Sequence, residues 1–266
     1  MNWLIGTAGA LIVAGAAYRK RSLSLSGAAA AVLMGAVYYG AGNLFWFGTL
    51  LLFFITSTAL SKYRQGSKSD LEKSYAKTGR RDAGQVFANG GLGMVLCLLN
   101  FLFPLEAWNL LFIGVMAAVT ADTWATEVGS LSRKPPRSIL NGKPLPAGTS
   151  GGVSWLGSLA AAAGGITIGA GAWVLGLWTD MGPDFPKFAA AGLVGGLAGA
   201  FSDSLLGATV QNMYRCGVCG RSVEVPLHCG QPTFRAGGWN WVTNDAVNLI
   251  SSVIGGAAAW LAAGVM

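Results

Sequence analysis

Long apolar stretches occupy residues 3–18, 23–42, 44–60, 83–103, 105–129, 153–178, 188–211 and 241–266, with short polar clusters between them. An α-helix needs roughly 20 apolar residues to cross a bilayer. The pattern therefore predicts an all-α, polytopic transmembrane bundle of about eight spans, a single integral membrane domain covering 1–266. The first stretch is the shortest and fits a tilted or interfacial helix as well as a span. Its positive charges follow the apolar run, the reverse of a cleaved signal peptide.

Charge placement supports the same division. Arg19, Lys20 and Arg21 follow the first helix, and Lys62, Arg64, Lys68, Lys73, Lys77, Arg80 and Arg81 follow the third. Arg133, Lys134, Arg137 and Lys143 follow the fifth; Arg215, Arg221 and Arg235 follow the seventh. Only Lys187 falls in the alternate set of connections, so 17 of the 18 basic residues sort to one side. By the positive-inside rule that side is cytoplasmic, both termini lie outside, and the cytoplasmic loops span about 19–22, 61–82, 130–152 and 212–240. Composition agrees: 53% of residues are hydrophobic and 11% charged, against roughly 25% charged in a soluble domain. The net charge of +7 does not indicate a nucleic-acid partner, because no separate basic domain carries it.

Carboxylates inside membrane helices are costly, at least ~2.5 kcal/mol on insertion scales, and normally have a partner or a task. Here they are Asp122 and Glu127 on helix five, Asp203 on helix seven and Asp245 on helix eight. Asp82 opens helix four, with Gln85 and Asn89 following on one face; Asn244 and Asn248 flank Asp245. Helices four and eight run outward and five and seven inward, so all these groups reach similar depth on the cytoplasmic side. Asp122, Glu127, Asp203 and Asp245 are the catalytic candidates. The bland alternative is that each acid caps a helix or pairs with a loop Lys or Arg, most readily for Asp82 and Glu127. Asp122 and Glu127 lie about 140° apart on an ideal helix and share no face. Gly195, Gly199, Asp203, Gly207 and Gln211 form one inclined stripe on helix seven, in which the glycines suit close helix packing.

Two loops add chemistry. The segment Lys143 to Ser154 carries Thr149, Ser150, Gly151 and Gly152 into the start of helix six. Glycines and hydroxyls opening a helix suit an anion, although the spacing is not that of a P-loop. In the last loop, Cys216-Gly-Val-Cys219 is followed by His228 and Cys229. That spacing resembles half a zinc ribbon, and a structural Zn²⁺ is the first reading, with free thiols as the alternative. His228 is the only histidine, which removes most histidine-based hydrolytic mechanisms.

The segment Ala121-Asp122-Thr123-Trp124-Ala125-Thr126-Glu127-Val128-Gly129 resembles a signature of a membrane family, long catalogued as a domain of unknown function, that includes the plant phytyl-phosphate kinases. Matches at Gln85 to Gly91, Gly148 to Ser154, Asp203 to Gln211 and Asn244 to Asn248 follow in family order, with Ser150 where many relatives carry Asn. The resemblance implies a prenyl-monophosphate kinase that uses CTP or another nucleoside triphosphate on a prenyl phosphate in the bilayer. On that reading Asp122, Asp203 and Asp245 hold Mg²⁺, and Lys143, Thr149, Ser150, Gly151, Gly152 and Ser154 cradle nucleotide phosphates. Gln85, Asn89, Gln211, Asn244 and Asn248 orient the reacting groups. The rival class is an ion-coupled transporter or lipid-phosphate scramblase using the same acids.

Overall fold

The computed structural model describes residues 1–266 apart from 64–65, 67–73, 75, 78 and 180. Arg64, Lys68 and Lys73 of the basic loop thus lie outside the described residues. Among the described residues, eight α-helices run as α1 (Asn2–Arg19), α2 (Leu25–Val37), α3 (Leu44–Lys62), α4 (Ala83–Leu102), α5 (Glu106–Gly129), α6 (Trp155–Gly176), α7 (Phe185–Thr209) and α8 (Asn244–Gly264). A π-helical turn, Tyr38–Gly42, extends α2. Seven helices, all but α1, are long and apolar enough to cross a membrane; α1 reaches full helical length but falls short of that measure.

The helix ends follow local chemistry. Ser24, Asn43, Asp82, Ser154 and Thr243 each accept a hydrogen bond from a first-turn amide as N-cap residues. Helix α7 starts earlier than its apolar run, since Pro186 suits a first turn. It ends at Thr209, so Gln211 lies beyond the helix instead of continuing its glycine stripe.

Helices α5, α6, α7 and α8 form the closely packed centre, with α1 to α4 ranged against it. Backbones approach closely there because the contact residues are small. A Cβ on Gly195 of α7 would stand 2.7 Å from Gly114 Cα on α5 and 2.9 Å from the Gly255 carbonyl oxygen on α8. One on Gly199 would overlap Ala118 of α5 outright. Toward one end of the bundle, Tyr38, Phe45, Trp46, Phe112 and Phe188 interlock, with Trp46 and Phe112 ring centres 4.3 Å apart. The Tyr38 hydroxyl donates to the Gly90 carbonyl at 2.8 Å. Lys187 pairs with Glu106 at this end, at 2.8 Å.

The four basic connections meet at the opposite end. Residues 22–24 and 81 exchange backbone hydrogen bonds, and Lys62 Nζ donates to the Lys20 carbonyl. The α5–α6 connection carries a two-stranded pair, β1 (Arg137–Ser138) and β2 (Gly152–Val153). Between α7 and α8 lie β3 (Met213–Arg215), β4 (Ser222–Val223), β5 (Leu227–His228), β6 (Gln231–Pro232) and β7 (Phe234–Gly237). They form a three-stranded sheet in the order β4-β3-β7 and a β5–β6 hairpin.

The glycine contacts generate a direct test. Gly199→Val should separate α5 from α7 and cost about 1–3 kcal/mol or more, by analogy with overpacked cores. Gly15→Ala, where a Cβ meets nothing within 4 Å, should be neutral or slightly stabilising. Thermal unfolding in detergent compares the two; equal melting temperatures would contradict the packing account.

Candidate functional site

The connections at the basic end enclose a cleft of about 680 Å³. Acids, amides and bases reach it from nearly every element of that end. Asp122 and Glu127 line it from α5, Asp203 from α7, Gln85 and Asn89 from α4, and Asn244 and Asn248 from α8. The α5–α6 connection contributes residues 145–154, including Thr149, Ser150, Gly151, Gly152 and Ser154. Arg21, Lys62, Lys77, Arg81, Arg133 and Lys134 supply positive charge. Asp122 and Glu127, on different faces of an unbroken helix, both reach the cleft because it wraps around that end of α5.

Asp122 and Asp203 lie within electrostatic reach of each other. Ser251 of α8 donates to Asp203 Oδ2 at 3.3 Å and to the Asn248 carbonyl at 3.1 Å. The Asn248 side chain donates to Asn89 Oδ1 at 3.4 Å, and Asn89 Nδ2 in turn donates to the Gln85 carbonyl at 2.9 Å. This chain joins α4, α8 and α7 beneath the cleft. Among the described residues, neither Asp122 nor Asp203 belongs to an ion pair. Two neighbouring carboxylates with hard oxygen donors and no such pairing are a donor set that suits a divalent cation.

Several expected residues have other occupations. Asp245 is absent from the lining: Lys77 bridges its Oδ2 to Asp82, 3.1 Å away on the other side. Burial acts to lower the Lys77 ammonium, but these two acids outweigh it and hold the group above its ordinary value. Asp82 forms a capping box with Gln85, accepting from the Gln85 amide at 2.8 Å while Gln85 Oε1 accepts from the Asp82 amide at 3.2 Å. Burial acts to raise the Asp82 carboxyl, yet the Gln85 amide and Lys77 hold it below the usual range. Lys143 is not at the cleft, because a tight turn carries it away: its amide donates to Asn141 Oδ1 and its carbonyl accepts from Ser138. Gln211 is buried behind the lining, where Oε1 accepts from Ser150 at 3.1 Å.

The glycine loop is more constrained than an open anion cradle. The Thr149 and Gly152 amides close local turns, and Ser154 is consumed as the α6 cap, accepting from Gly157 at 3.1 Å. Gly151 sits at φ +80, where a Cβ would run into Ala208. The loop is thereby pressed against α7.

Three charged residues at the site were not singled out from the sequence. Glu224 follows β4 and accepts from Gln211 Nε2 at 2.9 Å and from the Ala76 amide at 3.1 Å. Burial pushes its carboxyl up, the Ala76 and Gln211 donors work against that, and the Asp245 charge adds to it. Arg81 lies over Phe53 and Phe54 and donates to Thr58, with its charge facing Glu127; burial holds it below its ordinary value. Lys77 is the third. All three sit in connections, where a charge has no insertion cost and so gives no signal.

Arg81, Gln85 and Asn89 also border a second, apolar recess of about 60 Å³. Ala14, Ala31, Met34, Phe47, Leu50 and Phe54 are among its walls, from α1, α2 and α3. Met213, Ser222, Val223 and Glu224 of the cysteine loop line the cleft; Cys216, Cys219, His228 and Cys229 stand outside that lining and bring their ligand atoms within 4.8 Å of one another.

The chain is 32% identical to Protein PGR of Arabidopsis thaliana, over 91% of this chain and 90% of that one. It is 29% identical to an uncharacterised membrane protein of Synechocystis, over 90% and 82% of the two chains. With the chloroplastic Protein VTE6 of Arabidopsis thaliana the identity is 24%, over 92% of this chain and 66% of that protein. No solved structure matches the chain. Residues 8–256 match the integral membrane protein family DUF92; the chain belongs to that family, which includes the plant phytyl-phosphate kinases.

Proposed function

We propose that this protein is a prenyl-monophosphate kinase, moving the terminal phosphoryl group of CTP or another nucleoside triphosphate onto a prenyl phosphate held in the bilayer. One observation carries the reading: a polar cleft of about 680 Å³ shares Arg81, Gln85 and Asn89 with an apolar recess among membrane helices. A ligand with an anionic head and a hydrocarbon tail suits that junction. Family membership supports the same substrate class.

In the reaction, an oxygen of the lipid phosphate bonds to the terminal phosphorus as the bond from that phosphorus to its bridging oxygen breaks. A nucleoside diphosphate leaves and a prenyl diphosphate forms. The attacking phosphate is already anionic near neutral pH, so the step needs no histidine base. The difficulty is bringing two polyanions together and stabilising charge at the transferring group. Arg81, with its planar fork, suits the lipid phosphate at the mouth of the recess. Lys77, Arg133 and Lys134 face the nucleotide phosphates, taking the part expected of Lys143, beside Thr149, Ser150 and Gly151. Gln85, Asn89 and Asn248 orient the acceptor. Asp122 and Asp203 would hold Mg²⁺, which neutralises phosphate charge when bound. Asp245 is assigned to holding Lys77 at the rim instead of to the metal.

The basic end is assigned to the cytoplasm, with both termini outside, on the positive-inside rule. An impermeant maleimide on intact cells should label Asp184→Cys and spare Leu140→Cys until the membrane is permeabilised. Labelling of Leu140→Cys in intact cells would reverse the assignment.

Purified protein should convert a prenyl phosphate to its diphosphate with at least one of CTP, ATP, GTP and UTP. Asp122→Asn and Asp203→Asn should each lose roughly 10²-fold or more in turnover, the scale of one strong electrostatic contact, while remaining folded. Near-normal transfer by Asp203→Asn would remove that residue from the site. Ion-dependent flux in proteoliposomes without nucleotide consumption would replace the kinase with a transporter.

The recess makes a separate prediction. Ala31→Trp should fill it and raise the KM for the prenyl phosphate several-fold, because the recess holds the first carbons of the tail, with little change in the KM for the nucleotide. An equal effect on both substrates would place the tail elsewhere.

A further inference from the structure

We propose that Cys216, Cys219, His228 and Cys229 form a structural zinc site whose work is to fix the segment that carries Glu224 to the cleft. The four ligand atoms lie within 4.8 Å of one another. Cys219 Sγ is 3.5 Å and Cys229 Sγ 3.3 Å from His228 Nδ1. Three sulfurs and one imidazole nitrogen at one point are a donor set for tetrahedral zinc, with the thiols giving up their protons on binding.

Backbone conformation bears on the same point. Adjacent residues rarely reach one metal together, yet here His228 ends β5 and Cys229 begins the two-residue turn to β6. Cys229 has φ +52 and Gly230 φ +73. Both central residues of this turn are left-handed, a geometry that favours Asn-Gly or Gly-Gly. Cysteine is a poor choice there on backbone grounds, and its presence needs another cause. The left-handed backbone brings the Cys229 sulfur back toward its neighbour's ring. The first pair forms a knuckle of its own, in which the Gly220 amide donates to the Cys216 carbonyl and the Cys216 amide to the Arg221 carbonyl, each at 3.0 Å.

The surrounding segment also lacks another source of stability. Between Met213 and Gly237 only Cys216 and Val223 are buried, while Val218, Leu227 and Phe234 are exposed. About 25 residues with two buried side chains cannot hold a fixed shape by apolar burial, and small modules of this kind ordinarily use a metal or disulfides. Glu224 lies between the two ligand pairs. Its amide donates to the Ser74 carbonyl at 2.8 Å, and its carboxylate accepts from Ala76 and Gln211. Closing both knuckles on one ion sets where the chain between them runs, and so where this carboxylate meets the α3–α4 connection.

Protein purified without a histidine tag, in reductant, is analysed for metal. About one zinc per chain is expected, falling to near zero in the Cys216→Ser, Cys219→Ser double variant and unchanged in Glu224→Gln. Zinc replaced by Co²⁺ should show the intense visible absorption of a tetrahedral thiolate site. Absence of zinc, a weak octahedral cobalt spectrum, or a disulfide among the three thiols on counting would each overturn the metal site. Hydrogen exchange tests the positioning role. Removing zinc with a chelator should speed exchange across 213–237 and at Ala76, and leave α5 and α7 unchanged. Faster exchange in 213–237 with Ala76 unaffected would confine the metal to the loop and overturn its role at Glu224.

Discussion

The site depends on how closely α5, α7 and α8 approach one another. Gly195 and Gly199 remove the side chains that would hold α7 away from Gly114, Ala118 and Gly255. Without a hydrophobic force between helices in lipid, such backbone-to-backbone contact is what gives a bundle its geometry. One turn beyond Gly199, the same row brings Asp203 into the last two turns of the helix, and α5 brings Asp122 within electrostatic reach of it. Two carboxylates that repel are therefore held together by packing several residues away. An isolated acid on a mobile helix would turn toward water; these stay where the backbone contacts put them.

Much of this arrangement is legible in the chain because the bilayer imposes simple rules. Span length, the sorting of basic residues and the cost of a buried acid each leave a mark, and they led to Asp122, Asp203, Asn89 and Asn248 at one end. Outside the membrane those rules stop. Lys143 stands before a glycine loop in the sequence, but the β1–β2 connection turns it away from the cleft. Lys77, Arg81 and Glu224 are ordinary charged residues of polar connections until folding brings those connections over the cleft. Asp245 is a subtler case. Its partner comes from 168 residues earlier, beyond anything spacing reveals. The facing of His228 and Cys229 toward a common point depends on one left-handed residue, which neighbouring residue types do not disclose.

The ion pairs divide the acids into two groups with different chemistry. Lys77 engages Asp82 and Asp245, and Lys187 engages Glu106. A half-exposed pair of this kind contributes on the order of 0–1 kcal/mol, so the Lys77 bridge matters more for where it puts the ammonium than for stability. It ties the α3–α4 connection to the first turns of α4 and α8 and leaves Lys77 at the cleft wall. Among the described residues Asp122 and Asp203 stand outside this pairing, and Asp203 accepts from the Ser251 hydroxyl. Had all the acids been neutralised locally, the cleft would be a packed polar seam with no capacity for further charge. Among the described residues these two carboxylates have no cationic partner, and Lys and Arg side chains line the same cleft. A metal-bound polyphosphate calls for both kinds of group, carboxylate oxygens for its cation and Lys or Arg donors for its own oxygens.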